Sequence, residues 1–453
     1  MRCYKRVIVI SDLHLGGDFP HMMSHPRELA SFIGRLPLCL ACDEQLELVI
    51  NGDFIDFLAV SPWSSWTCSP TEAVTKLQTA YEPPFDVVFD ALAQHVSQGH
   101  SLTIVLGNHD IELAHHAVQG DLMRRVGIRR PEAVHFVEDG SALRVGGLLI
   151  EHGNRYDPAN LNDWERLRST RSRTSRGEAV AELIRPSVGS DIVTHLVNPL
   201  KRDYPFIDLI QPQGELLALL LLVLEPSLAF SFGKIARALR GARLQAANPR
   251  GEAPQKTYQA GAGPSEEIDA ELADVFGEHY RQMRRGSSEP AGIADLADAL
   301  DQARQGGLRE HLATGRPVPP DRLSKLRTIF RRLASPEDTF SWGGDTGPYG
   351  EAAKRILTAT AADTVVMGHT HLARREGPEG RARYVNTGTW ADLVRVPNDA
   401  IADGEAGLVA LEGFLQRLVA DSVRAWEPTY ADVRLNSDGV VVSADLQRTE
   451  SRS

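Results

Sequence analysis

The chain has 453 residues, 42% of them hydrophobic and 24% charged, and its formal net charge is -11. That length is too great for one minimal domain, and the apolar share is enough to bury real cores. The acidic balance excludes broad, non-specific binding to DNA or RNA, which needs a basic surface. A small anionic substrate remains open, because bound divalent cations supply local positive charge.

Basic residues precede an apolar stretch at the N-terminus, as in a leader peptide. The apolar part is only residues 7–10, shorter than the roughly 7–15 residues of a secretory core. The segment is therefore expected to be the first strand of a cytoplasmic protein. Four cysteines stand at Cys3, Cys39, Cys42 and Cys68, and so few in a long chain fit a reducing compartment. Cys39 and Cys42 form a CxxC, but no second pair completes a zinc site, and the flanking Leu38, Leu40 and Ala41 suggest a buried helix end.

Short apolar runs then recur, each ending in polar residues: 7–10, 46–50, 102–106, 148–150 and 364–367. Their length and β-branched content predict buried strands. Helical patterns lie between the early ones, notably 85–98, which Pro83 and Pro84 open. Strands alternating with helices predict a layered α/β core. Residues 382–386, 430–435 and 440–446 add strands, the last two joined by a hairpin turn at 436–439.

The stretch 158–350 differs in character and is expected to be a helical insertion between core segments 1–157 and 351–446, with 447–453 a disordered tail. Arg166, Arg168, Arg171, Arg173 and Arg176 crowd its start; they are expected either to bind substrate phosphate or to form a solvated charged helix. An apolar run at 216–224 is too short to span a bilayer, which takes about 20 residues. With the basic segment 234–243 it offers a peripheral contact with a membrane, the alternative being a buried helix. Residues 246–265, rich in Ala, Gly, Pro and Gln, suggest a flexible linker. Helical patterns return at 266–285, 293–304 and 321–333.

The polar residues that close the strands carry the chemistry. They are Asp12, His14, Asp53, Asn108, His109, His152, His369 and His371. Asp12 and His14 are two apart, as are His369 and His371, so on an extended strand each pair shares a face. Carboxylate, imidazole and one amide oxygen suit Mn, Fe or Zn better than calcium. Open α/β sheets place their sites at the carboxyl ends of strands. Two cations about 3.5–4 Å apart can clamp a phosphoryl group and ease the ionisation of a water. A histidine, with an ordinary pKa of about 6.5, suits a general acid near neutral pH.

These segments resemble the signature of the calcineurin-like metallophosphoesterases. Its five blocks appear in order: Asp12-Leu13-His14; Gly52-Asp53 with Asp56; Gly107-Asn108-His109-Asp110; His152-Gly153; and Gly368-His369-Thr370-His371. The resemblance covers about 1–157 and 364–392. It implies a four-layer α/β/β/α sandwich and a hydrolase, a phosphatase in the broad sense, that needs two divalent metal ions (manganese, iron or zinc). Asp12, His14 and His371 would hold one metal, Asn108, His152 and His369 the other, and Asp53 would bridge them. His109 would protonate the leaving oxygen, with Asp110 orienting it. Asp56 is expected to support the ligands, and residues 386–390 either line the pocket or form a turn with a packed tryptophan.

The position of the insertion, after the fourth block, is distantly similar to the acyl-binding caps of the bacterial UDP-2,3-diacylglucosamine pyrophosphatases. That similarity implies a phosphorylated small-molecule or lipid-linked substrate; the acidic balance and the lack of interleaved basic and aromatic residues near the motifs argue against nucleic acid as a partner. A phosphodiesterase or nuclease on the same scaffold, and a metal-binding scaffold for partner proteins, are the competing readings.

Overall fold

The computed structural model of the chain describes residues 4–40, 44–127, 129–157, 159–178, 184, 186–210, 220, 224, 308–314, 316–334 and 348–449. Two compact units divide it: residues 1–190, 346–392 and 426–453 form the first, and 191–345 with 393–425 the second.

The first unit is built on two sheets. β1 (Tyr4–Ile10), β2 (Glu44–Asn51), β3 (Ser101–Val105) and β4 (Val134–Val137) run parallel, side by side. β5 (Leu143–Val145), β6 (Leu148–Ile150), β7 (Thr364–Met367), β8 (Ala373–Glu376) and β9 (Tyr384–Thr387) make the second sheet, in the order β5-β6-β7-β9-β8. A short pair, β10 (Leu393–Val394) and β11 (Arg424–Ala425), belongs to the second unit. The hairpin of β12 (Thr429–Leu435) and β13 (Val441–Arg448) returns to the first sheet, β12 antiparallel to β1.

Period-two alternation explains how the layers hold together. Along β1, Val7 and Val9 face one way, into a core shared with Val49, Val105, Leu148, Ile150, Val366 and Val385. This is the interface of the two sheets. Ile8 and Ile10 face the other way, with Leu48, Ile50, Leu102 and Ile104, into a core of helices. Those helices are α1 (Pro26–Arg35), α2 (Pro70–Thr79), α3 (Asp86–Ser97) and α4 (His116–Val126), which bury residues such as Phe32, Leu77, Phe89 and Leu122. The helix Pro348–Thr360 packs on β7 from the outside of the second sheet. The result is the expected α/β/β/α sandwich. Burying both faces of a parallel sheet requires runs that are apolar throughout, and residues 7–10 and 48–50 are such runs.

Several boundaries differ from the expected ones. α5 (Trp164–Thr174) buries Trp164 and Leu167 in the helical core of the first unit; that unit extends to Ser190, where the insertion was expected to begin at 158. Residues 393–425, expected in the core, group with the second unit. β13 runs to Arg448, so Gln447 and Arg448 are strand and not tail. The hairpin turn is as expected: the Asn436 side chain accepts from the amides of Asp438 and Val440, and Gly439 takes a φ of +79°. β4, β5 and β8 had no clear signal, being three or four residues long and only partly buried.

In the second unit, the helix Pro320–Ala334 coincides with the expected pattern at 321–333 and meets the helix Gly404–Val419, with the Phe330 and Phe414 rings 5.9 Å apart. Lys201 and Asp208 form a buried ion pair at 2.5 Å. The linker at 246–265, the basic segment 234–243, the patterns at 266–285 and 293–304, Cys42 and most of the run 216–224 lie outside the described residues. Leu38, expected at a buried helix end, is 81% exposed. No helix among the described residues is long and apolar enough to cross a membrane.

One buried histidine of the fold gives a pH signature. His95 on α3 donates from Nε2 to the Ser101 carbonyl (3.1 Å). Burial pushes its pKa down to about 4, against the Ser101 hydrogen bond. The unfolded chain therefore binds a proton between about pH 6.5 and 4 that the native fold refuses. The neutral form's stabilisation is complete above pH 6.5 and is lost as pH falls through that window, by roughly 3 kcal/mol. In urea unfolding at pH 7.5 and 4.5, His95→Gln should lose less stability on acidification than the parent. Equal losses in the two proteins would contradict this.

Candidate metal centre

Each of the five blocks stands just beyond the carboxyl end of a strand: β1 before Asp12, β2 before Asp53, β3 before Asn108, β6 before His152 and β7 before His369. Asp12, His14, Asp53, His369 and His371 have φ values of +54°, +45°, +51°, +70° and +57°. Positive φ in non-glycine residues is uncommon and costs energy, so five such residues at one place mark a geometry imposed for function. This corrects the expectation of extended pairs. The strands stop at Ile10 and Met367, and left-handed turns bring each Asp/His or His/His pair inward.

Among the described residues three clusters could hold a metal ion: Asp12, His14 and His371; Asp53, His152 and His369; and, sharing His14 with the first, His14, Asp56 and His109. In the first, His371 Nε2 lies 3.3 Å from Asp12 Oδ1 and 3.1 Å from His14 Nε2. Asp12 Oδ2 accepts from Ser11 Oγ and from the His369 amide. Oδ1 is thus left buried without a hydrogen bond. In the second, His152 donates from Nδ1 to the Asn51 carbonyl (2.8 Å). That fixes its tautomer and turns Nε2, buried and without a hydrogen bond, to Asp53 Oδ2 at 3.3 Å. Asp53 Oδ2 is also 3.9 Å from His14 Nε2, so the carboxylate reaches both clusters. Asn108 Oδ1 is likewise buried without a hydrogen bond.

Orphaned acceptor atoms on buried side chains are rare in folded proteins. Four unpaired atoms here, Asp12 Oδ1, His14 Nδ1, Asn108 Oδ1 and His152 Nε2, belong to residues expected to bind metal. Their chemistry fits divalent cations of the Mn, Fe and Zn kind. The charges agree. Burial works to raise the Asp53 pKa, yet His152, His109 and His14 hold it well below the usual carboxylate range. Burial likewise opposes ionisation of Asp12, and His371 overcomes it. Burial works to lower the His152 pKa, but Asp53 and Asp12 push it up to about 10, so without cations these carboxylates keep a proton on the ring that a bound cation would displace.

His109 stands beside this centre. Its ring is 4.8 Å from that of His14, edge to face. Its side chain is 15% exposed, against 1% to 2% for His14, Asp53 and His152. It donates from Nδ1 to Asp56 Oδ1 (3.0 Å). The residue that orients it is therefore Asp56, and the expectation for Asp110 is corrected. Asp110 instead accepts from the amides of Gly107 and Phe54, both at 2.7 Å, and so pins the third block to the second. A carboxylate followed directly by a helical turn captures nearby amides before it can reach the preceding side chain. Burial and the neighbouring Asp53 raise its pKa to about 7.

The block glycines are required by close approach. Gly107 lies so near Asp53 that any Cβ would strike the carboxylate. At Gly52, with φ +83°, a Cβ would overlap the His152 ring. Gly52→Ala should thus destabilise the unit by roughly 2–4 kcal/mol, combining left-handed strain with overpacking, and displace His152. An unchanged melting midpoint would contradict that.

Residues 386–390 turn out to support the site from below. Thr389 Oγ1 donates to the Asp12 carbonyl (2.8 Å), Asn386 Nδ2 to the Gly368 carbonyl (2.8 Å), and Trp390 is fully buried in the helical core. The arginines of α5 are engaged elsewhere: Arg168 with the Asp139 carbonyl, Arg171 with the Ala114 carbonyl and Glu138, Arg166 with Asp163, and Arg173 and Arg176 with Glu178. Arg168 and Arg171 fasten the helix to its unit, while Arg166, Arg173 and, just past the helix, Arg176 make local pairs at the surface. Ser11, Asp157 and Asn160 also bear on the centre and had been passed over. Short polar residues in turns carry little signal by themselves, although Asp157 and Asn160 closely follow the fourth block.

Residues 5–209 match the model of the calcineurin-like phosphoesterase family. The match supports the superfamily for this part of the chain, and with it hydrolysis of phosphoester bonds. The fifth block lies outside the matched span, yet the fold returns it to the same centre. No curated protein matches the chain.

Proposed function

We propose that the chain is a hydrolase of phosphate esters or anhydrides that works with two divalent cations. Asp12, His14 and His371 hold one cation, Asn108, His152 and His369 the other, and Asp53 joins them. The observation that carries this is the convergence of seven donor side chains from five strand ends, four of them with buried polar atoms otherwise unpaired. When bound, such a pair neutralises phosphoryl charge and supplies a nucleophile from water at neutral pH.

The protein's own groups do the rest. Asp53 sits between the two sets of ligands and offsets their cations' mutual repulsion. His109, held by Asp56 through Nδ1, gives a proton from Nε2 to the leaving oxygen. The left-handed turns fix the ligands before substrate arrives, so little reorganisation remains at the moment of reaction. The substrate is a phosphorylated small molecule or a lipid-linked phosphate, and manganese is the first metal to supply.

The test is product release by metal-stripped protein reloaded with manganese. p-Nitrophenyl phosphate, bis-p-nitrophenyl phosphate, UDP-sugars and a UDP-diacylglucosamine form the panel. Turnover that appears only with metal supports the proposal, and the preferred arm separates monoester, diester and anhydride substrates. Equal turnover with and without metal overturns it.

A further inference from the structure

Asp157 lies just after the fourth block, in a turn that none of the five motifs includes. Its Oδ1 accepts from the Ala159 amide (2.9 Å). Its Oδ2 accepts from Asn160 Nδ2 (2.7 Å) and lies 3.2 Å from His369 Nε2. Asn160 Oδ1 in turn faces Asn108 Nδ2 at 3.4 Å. One continuous polar chain thus runs Asn108–Asn160–Asp157–His369, and its two ends come from different sheets, beyond β3 and β7.

The chain has a direction. A carboxylate oxygen accepts, and both oxygens of Asp157 do so, Oδ1 from the Ala159 amide and Oδ2 from the Asn160 side chain. Asn160 must therefore present its NH2 to Asp157 and its oxygen to Asn108. Asn108 must then donate its NH2 to Asn160, which leaves its Oδ1 as the buried atom without a hydrogen bond. At the other end His369 donates from Nε2, which leaves the lone pair on Nδ1. The turn that carries these groups is itself held. The buried Asn154 donates to the Asn160 carbonyl (2.9 Å), and the Gly189 amide to the Ala159 carbonyl (2.7 Å).

We propose that Asp157 is a positioning residue which, directly for His369 and through Asn160 for Asn108, selects the donor atoms that two ligands turn toward the second cation. This rests on the two-cation reading above. It gives Asp157 no contact with substrate. Its effect should fall more heavily on the second cation, since the chain ends on Asn108 and His369, whereas it meets the first set where Asp12 Oδ2 accepts the His369 amide.

The test counts metals rather than turnover. Wild type, Asp157→Asn and Asn160→Ala are titrated with Mn2+, bound metal is measured, and the exchange-coupled pair is followed by electron paramagnetic resonance. Asparagine at 157 can accept at only one of its two positions, so the directed chain fails in an isosteric background. The second manganese should bind about 10–100-fold more weakly in Asp157→Asn, the usual cost of losing a ligand's outer partner. The coupled signal should give way to that of an isolated ion while the first affinity holds. Asn160→Ala, which frees only the amide end, should weaken the second site less. Wild-type affinities at both sites in Asp157→Asn would overturn the proposal, as would equal weakening of both, which marks a general structural role. Wild-type protein that takes up fewer than two manganese ions would overturn the two-cation reading itself, and this proposal with it.

Discussion

Asp53→Asn is expected to lower metal-dependent turnover by at least ~10^3-fold while the fold is kept. The carboxylate is 2% exposed, accepts the His109 amide on Oδ1 (2.9 Å) and turns Oδ2 to His152 and His14. An asparagine of the same shape can keep the amide contact through its oxygen. It then places an NH2 where the two ligand sets meet, with less charge to offset two cations and a donor aimed at their site. Metal binding should fall with activity, to one ion per chain or none, while the circular dichroism spectrum stays that of the parent. Undiminished turnover with retained folding would remove Asp53 from the centre of the account.

His109→Ala is expected to cost about 10^2–10^4-fold in turnover, the range of a general acid or base, without loss of either metal. The distinction follows from where the ring sits: more exposed than the ligands, hydrogen-bonded to Asp56 and in edge contact with His14. Asp56→Asn should cost less, about 10–100-fold, because it loosens the imidazole without removing it. The alkaline limb of the pH–rate profile should flatten in His109→Ala, since the group whose deprotonation ends catalysis is gone. The deficit should also shrink for substrates with good leaving groups, which need no proton. A metal content that falls in parallel with activity would show His109 to be a ligand instead.

The strand ends were legible because buried parallel strands leave a plain mark, short β-branched runs that stop at glycine and polar residues. Their meeting at one centre was legible only through the order of the five blocks, since the fifth lies beyond the insertion. What was not legible was the backbone at the site. Spacing alone suggests that Asp12 and His14 share the face of a strand, whereas both lie past its end with positive φ. The partner of His109 was misassigned for a related reason: the adjacent Asp110 is nearest in sequence, but the turn aims it at the amides of Gly107 and Phe54. Asp56 reaches the imidazole from another loop. Asp157 and Asn160 were invisible because their role depends on which atom of an amide faces which neighbour. The limits of the insertion were not legible, because two apolar residues, Trp164 and Leu167, tie the arginine-rich α5 to the first unit.

The most direct test of the account is a titration of metal-stripped protein with Mn2+, in which bound metal and p-nitrophenyl phosphate hydrolysis are followed together. Turnover should rise from background to a plateau reached at two manganese ions per chain. Full turnover with no metal or with one, or a plateau that ignores the second ion, would contradict it.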